Sequence, residues 1–120
     1  RRSGIAKTTI YRHWPSVLVG SAGSFDTLAE LVAKERGSTL VASENALAFS
    51  STEFDAIKEG LIGSTRAERT SIKGIPDYRV DTLPLALIAI ERVLAHGIGE
   101  LRWSRYALKE GAAWRALNAR

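Results

Sequence analysis

The chain has 120 residues, 17 basic and 13 acidic side chains, 45% hydrophobic residues and no cysteine. That is one domain's worth of sequence with room for a modest core, and it excludes disulfides and thiolate metal sites. Two histidines, His13 and His96, are too few for a zinc site without carboxylate help. The longest strongly apolar run, Leu83 to Ile90, is too short to span a bilayer. No cofactor or metal is implied, no signal-peptide pattern is present, and the expected compartment is the cytoplasm.

The first patterned stretch runs from Gly4 to Ser16. Gly4 can close a preceding helix whose last turn is Arg1-Arg2-Ser3. A short helix over about residues 6–14 follows, and Pro15 stops it. Ile10 and Trp14 stand four apart on one side with Ile5 nearby, while Lys7, Thr8, Tyr11 and Arg12 occupy the remaining surface. Helix, glycine turn and short helix make a helix-turn-helix pattern, whose second helix enters a DNA major groove.

The string Gly-Ile-Ala-Lys-Thr-Thr-Ile-Tyr-Arg-His-Trp-Pro-Ser resembles the recognition-helix signature of TetR/AcrR-type transcriptional regulators. Lys7, Thr9, Tyr11, His13, Trp14, Pro15 and Ser16 match it. Ala6 departs where the family has a serine cap, a loss of about 1 kcal/mol to the helix start. Val17 departs where it has lysine. The resemblance implies base-edge contacts from Lys7, Thr8 and Thr9, and phosphate contacts from Tyr11, Arg12 and His13. Gly4, Ile5, Ile10 and Trp14 would form the structural core of the motif. The chain has no methionine and opens on Arg1-Arg2, which reads as an N-terminally truncated regulator lacking most of its first two helices.

Charge follows the same division. Residues 1–14 carry four bases and no acid; residues 15–101 carry eight bases against twelve acids; residues 102–120 carry five bases against one acid. A basic head on a mildly acidic body suits a DNA-reading end.

Beyond Pro15, Ser16 is a fair N-cap for a helix through Val17, Leu18 and Val19. Gly20-Ser21-Ala22-Gly23-Ser24 interrupts it. This run invites comparison with a phosphate-cradling loop, but it lacks the lysine of a P-loop and no strand is predicted before it, so it reads as a flexible connection. Ser24 is expected to cap a helix with Phe25, Leu28, Leu31 and Val32 on one face, ending before Gly37. Ser38 or Thr39 starts another, with Leu40, Val41, Leu47 and Ala48 aligned. Ser50 and Glu53 offer a capping box for a helix carrying Phe54, Ile57, Leu61 and Ile62. Residues 63–80 are weakly patterned, with a short helix from Thr65 to Ile72.

Asp81 or Thr82 caps a helix that tolerates Pro84 in its first turn. Its apolar residues, Leu83 to Leu94, cover most faces, which places it in a core or against a partner. His96 suits a helix C-terminus, with a ligand pocket as the other reading. Leu101 to Leu117 is expected to form a basic helical tail with Trp103, Tyr106 and Trp114 lining a ligand site, a dimer face or the core. Asp55 and Glu59 read as a solvated face, and no catalytic constellation stands out.

The expected fold is all-α: a helix-turn-helix remnant at residues 1–19, then a helical ligand-binding and dimerisation body at 24–120. The expected function is a ligand-responsive, non-enzymatic repressor, a homodimer on double-stranded operator DNA that answers to a small-molecule effector and avoids membranes. The alternative is a helical interaction or small-molecule-binding module, self-associating through the apolar Leu83–Leu94 helix, which charged substitutions of Leu87 and Ile90 would test, with a non-functional DNA-binding remnant.

Overall fold

The computed structural model describes residues 15–118. Its centre is a three-stranded mixed sheet of β1 (Val17–Ser21), β2 (Ala46–Ser50) and β3 (Glu100–Ser104), in the order β1-β3-β2. β3 runs parallel to β1, with Val17 opposite Glu100, and antiparallel to β2, with Ala46 opposite Ser104. Helix α1 (Gly23–Glu35) follows β1, α2 (Ser51–Ile62) follows β2, then come α3 (Arg66–Ser71), a 3-10 turn (Asp77–Arg79), α4 (Leu83–Leu94) and, after β3, α5 (Leu108–Leu117).

The all-α expectation is therefore wrong. Residues 17–19, expected as a helix, are β1. Three apolar residues, two of them β-branched, bounded by Gly20 satisfy a short strand as well as a helical turn, and pairing with β3 decides between them. Residues 38–48, also expected as a helix, are an irregular loop running into β2. The expected Leu101–Leu117 helix is helical only from Leu108; its start is β3, where Leu101 and Trp103 point inward at 0% and 2% exposure while Arg102 points out. That alternation is the period of a strand.

Other expectations hold. The Ser50–Glu53 capping box is present: Ser50 Oγ accepts the Glu53 N–H at 3.1 Å and Glu53 accepts the Ser50 N–H at 3.1 Å. Thr65 and Glu68 repeat the device at the start of α3. Each satisfies donors that a helix start leaves orphaned.

The core lies where α1, α2 and α4 meet the sheet. Leu28 and Val32 of α1, Phe54 and Leu61 of α2, Leu83 and Leu87 of α4, and Leu101 and Trp103 of β3 are buried together. Leu87 and Ile90 point into this core, so they cannot serve as the self-association surface expected of them; α4 instead exposes Leu85, Ile88 and Val93. Lys58 of α2 is almost wholly buried and pairs with Glu91 of α4, with Asp55 and Glu59 nearby. The Glu91 contact raises its pKa above the ordinary lysine value. No helix among the described residues is long and apolar enough to cross a membrane.

Candidate functional site

An open cleft of about 690 Å³ lies at the C-terminal ends of the parallel strands β1 and β3. Open α/β sheets bind ligands at this end of their strands. One wall is the β1–α1 turn with Ala22, Asp26, Thr27 and Glu30; the opposite side is Gly74 to Arg79; Trp103 and Arg105 leave the end of β3, and Leu40 and Glu110 complete the rim.

The turn from β1 into α1 has three unusual features. Gly20 gives Phe25 its place: a β-carbon there would sit 2.1 Å from the ring. Ala22 has φ 57° and ψ −179°, a conformation that belongs almost wholly to glycine. Gly23 continues at φ 51°. Together they reverse the chain tightly, so that α1 begins directly beside Ala22, which lines the cleft. Unlike α2 and α3, α1 has no side-chain cap. Phe25 N–H returns to the Ala22 carbonyl at 3.0 Å, whereas those of Gly23 and Ser24 find no acceptor along the helix. Ser24, expected as the cap, is the second residue of the helix.

A cation faces this open end. Arg79 Nη1 lies 3.7 Å from where a β-carbon on Gly23 would stand. Its guanidinium lies 5.1 Å from the Tyr78 ring centroid and has no carboxylate partner among the described residues. The segment that carries it is pinned from both sides. Ile75 and Val80 are buried at 6% and 1% exposure, Arg69 Nε donates to the Val80 carbonyl at 2.9 Å, and Arg66 pairs with Asp81 at 2.9 Å. Deeper in the cleft, Trp103 Nε1 donates to Asp26 at 2.8 Å, which fixes the carboxylate in the first turn of α1. Uncapped N–H groups, the positive end of a helix and a guanidinium without a carboxylate partner among the described residues are the elements from which proteins build anion sites. Among the described residues no group of three or more His, Asp and Glu is arranged to hold a metal ion.

The residues singled out from the sequence fall elsewhere. Lys7, Thr8, Thr9, Tyr11, Arg12 and His13, and the Gly4, Ile5, Ile10 and Trp14 framework, all lie outside the described residues. Trp103 does line the cleft, from a strand rather than a helix. Tyr106 and Trp114 are exposed at 58% and 68%. His96 follows the end of α4, as expected, and does not line the cleft. The Gly20–Ser24 run, set aside for want of a preceding strand, has one.

No family model matches the chain, and no curated protein sequence matches it. Solved structures do. An exopolyphosphatase from Cytophaga hutchinsonii superposes with a TM-score of 0.84 at 30% identity, over 96% of this chain and 38% of that one. A Ppx/GppA family member from Aquifex aeolicus superposes at 0.72 and 15% identity, over 95% of this chain and 38% of that one, and shows the fold alone. The chain thus spans 38% of the length of either neighbour.

The first of these neighbours is an exopolyphosphatase, and both share the mixed α/β fold of this chain. They overturn the resemblance to TetR-type regulators, and with it the expected operator DNA partner, repressor function and non-enzymatic character. A thirteen-residue motif match, Gly4 to Ser16, all but its last two residues outside the described residues, carried that reading. The whole described fold points away from it.

Proposed function

We propose that this chain is part of a phosphate-releasing hydrolase of exopolyphosphatase type, and that the β1–α1 turn with Arg79 grips a phosphate group of its substrate. One observation carries the reading: α1 opens without a side-chain cap behind a strained Ala22-Gly23 turn, beside an Arg79 guanidinium that has no carboxylate partner among the described residues. A helix start left without a cap costs stability unless something else satisfies it. A phosphate oxygen does so, and Arg79 supplies the counter-charge. The likeness to a solved exopolyphosphatase at 30% identity supports the same chemistry.

The test is a titration of the chain with inorganic phosphate and tripolyphosphate, followed by the backbone amide resonances of Gly23 and Ser24. Both should shift on saturation. Arg79→Ala should weaken tripolyphosphate binding by about 10- to 100-fold, the worth of one charge-assisted contact. Amides that stay still at millimolar ligand, or an Arg79→Ala chain that binds like the parent, would refute the assignment.

A further inference from the structure

Leu40 and Arg105 both line the cleft, and the Arg105 side chain holds the loop that carries Leu40. Residues 37–45 cross from α1 to β2 without regular structure. At the end of this loop, Val41 to Glu44 closes on itself: Glu44 N–H donates to the Val41 carbonyl at 3.0 Å, and Val41 N–H donates to the Glu44 carboxylate at 3.1 Å. Arg105, the residue after β3, ties that small turn to the end of the strand beside the Ala46–Ser104 pairing. Its backbone N–H donates to Asn45 O at 2.8 Å, Nε donates to Glu44 O at 2.5 Å, and Nη2 donates to Val41 O at 3.1 Å. The guanidinium also lies over Trp103, 5.0 Å from the ring centroid. Trp103 in turn holds Asp26 at the start of α1. A planar group with several fixed donors suits this task; one ammonium cannot reach both carbonyls and cover an indole face at once.

We propose that Arg105 is a positioning residue of the cleft: it clamps the 41–45 turn, and Leu40 beside it, against Trp103, and so sets the shape of the wall that the distal part of a multi-phosphate ligand meets. This rests on the reading of the β1–α1 turn as the phosphate grip. A single phosphate fills a small part of a cleft of about 690 Å³, so inorganic phosphate at the turn stays clear of the Arg105 wall. A chain of phosphates extends toward it.

The experiment measures dissociation constants for inorganic phosphate and tripolyphosphate with the parent chain, Arg105→Ala and Arg105→Lys. Hydrogen exchange at the Val41 and Glu44 amides and thermal melting are followed in parallel. In Arg105→Ala, tripolyphosphate should bind about three- to tenfold more weakly, the loss expected when a wall held by two hydrogen bonds relaxes. Inorganic phosphate should stay within twofold, and Val41 should exchange faster. Arg105→Lys keeps the charge over Trp103 and tests the same point if the alanine chain does not fold; it should fall between alanine and parent. Equal weakening for both ligands, or unchanged tripolyphosphate binding despite faster Val41 exchange, would overturn the role of Arg105 while leaving the phosphate grip intact. A parent chain that binds neither ligand would overturn the grip, and this inference with it.

Discussion

Ala22 offers the sharpest test of the site's construction. Its φ of 57° with ψ −179° is a place where a β-carbon is crowded, and holding a non-glycine residue there costs about 1–3 kcal/mol. Ala22 is exposed, so removing its methyl group uncovers no core. Glycine gives back about 0.5–1 kcal/mol through the greater freedom of the unfolded chain. The balance leaves Ala22→Gly more stable than the parent by about 0.5–2 kcal/mol. For a chain of this size each kcal/mol moves the melting midpoint by about 3–5 °C, so the variant should melt about 2–10 °C higher. Differential scanning calorimetry reads this directly, and Ala22→Ser, which keeps the β-carbon, should melt like the parent. A glycine variant that melts at or below the parent would show that the turn is not strained. The same relief should blur the direction of the Gly23 and Ser24 N–H groups, so the stabilised variant should bind tripolyphosphate less tightly.

Gly20→Ala drives a methyl group into the Phe25 ring and should cost about 1–3 kcal/mol by overpacking. Adding Phe25→Ala should make the second loss smaller than Phe25→Ala causes alone, and strict additivity in melting curves would argue against the clash. The Arg36–Glu53 pair, joined at 2.7 Å and 2.8 Å, lowers the Glu53 pKa from 4.5 to about 2, with the Arg36 hydrogen bond the main cause. A carboxyl group whose pKa is depressed on folding stabilises the fold fully above its ordinary value, and that contribution is lost as the pH falls through about 2. With the side chains 39% and 35% exposed, solvent screening limits the pair to about 0.5–1 kcal/mol. The stability gap between parent and Glu53→Gln should therefore close as the pH drops from 4.5 to 2; a gap that stays constant across that range would count against the pairing.

What the sequence disclosed depended on how local each signal was. Both partners of the Ser50–Glu53 box lie within four residues, and the box was legible in full. Strands of five residues are not, because a short apolar run such as Val17-Leu18-Val19 becomes a strand only when another segment pairs with it. β3 did carry a local mark in the inward Leu101 and Trp103, but the helix-compatible sequence after it masked the change of period. The glycine turn was visible and was dismissed with its strand. Arg79 and Arg105 had no local signature at all: their roles come from Gly23 and from the carbonyls of Val41 and Glu44, which the fold brings to them from distant positions.

The strand order has a consequence for how the protein is made. Among the described residues β3 is the last strand in sequence and the middle one in the sheet. As the polypeptide leaves the ribosome, β1 and β2 emerge before the strand that joins them in this sheet, and that pairing waits until Glu100–Ser104 follows. Helices can form turn by turn in the meantime, but the sheet closes as a late, long-range event, the slow kind of folding step. A chain cut anywhere before residue 100 would lose the middle strand of this three-stranded sheet rather than an outer one, parting β1 from β2 and uncovering the core that Leu101 and Trp103 help to close.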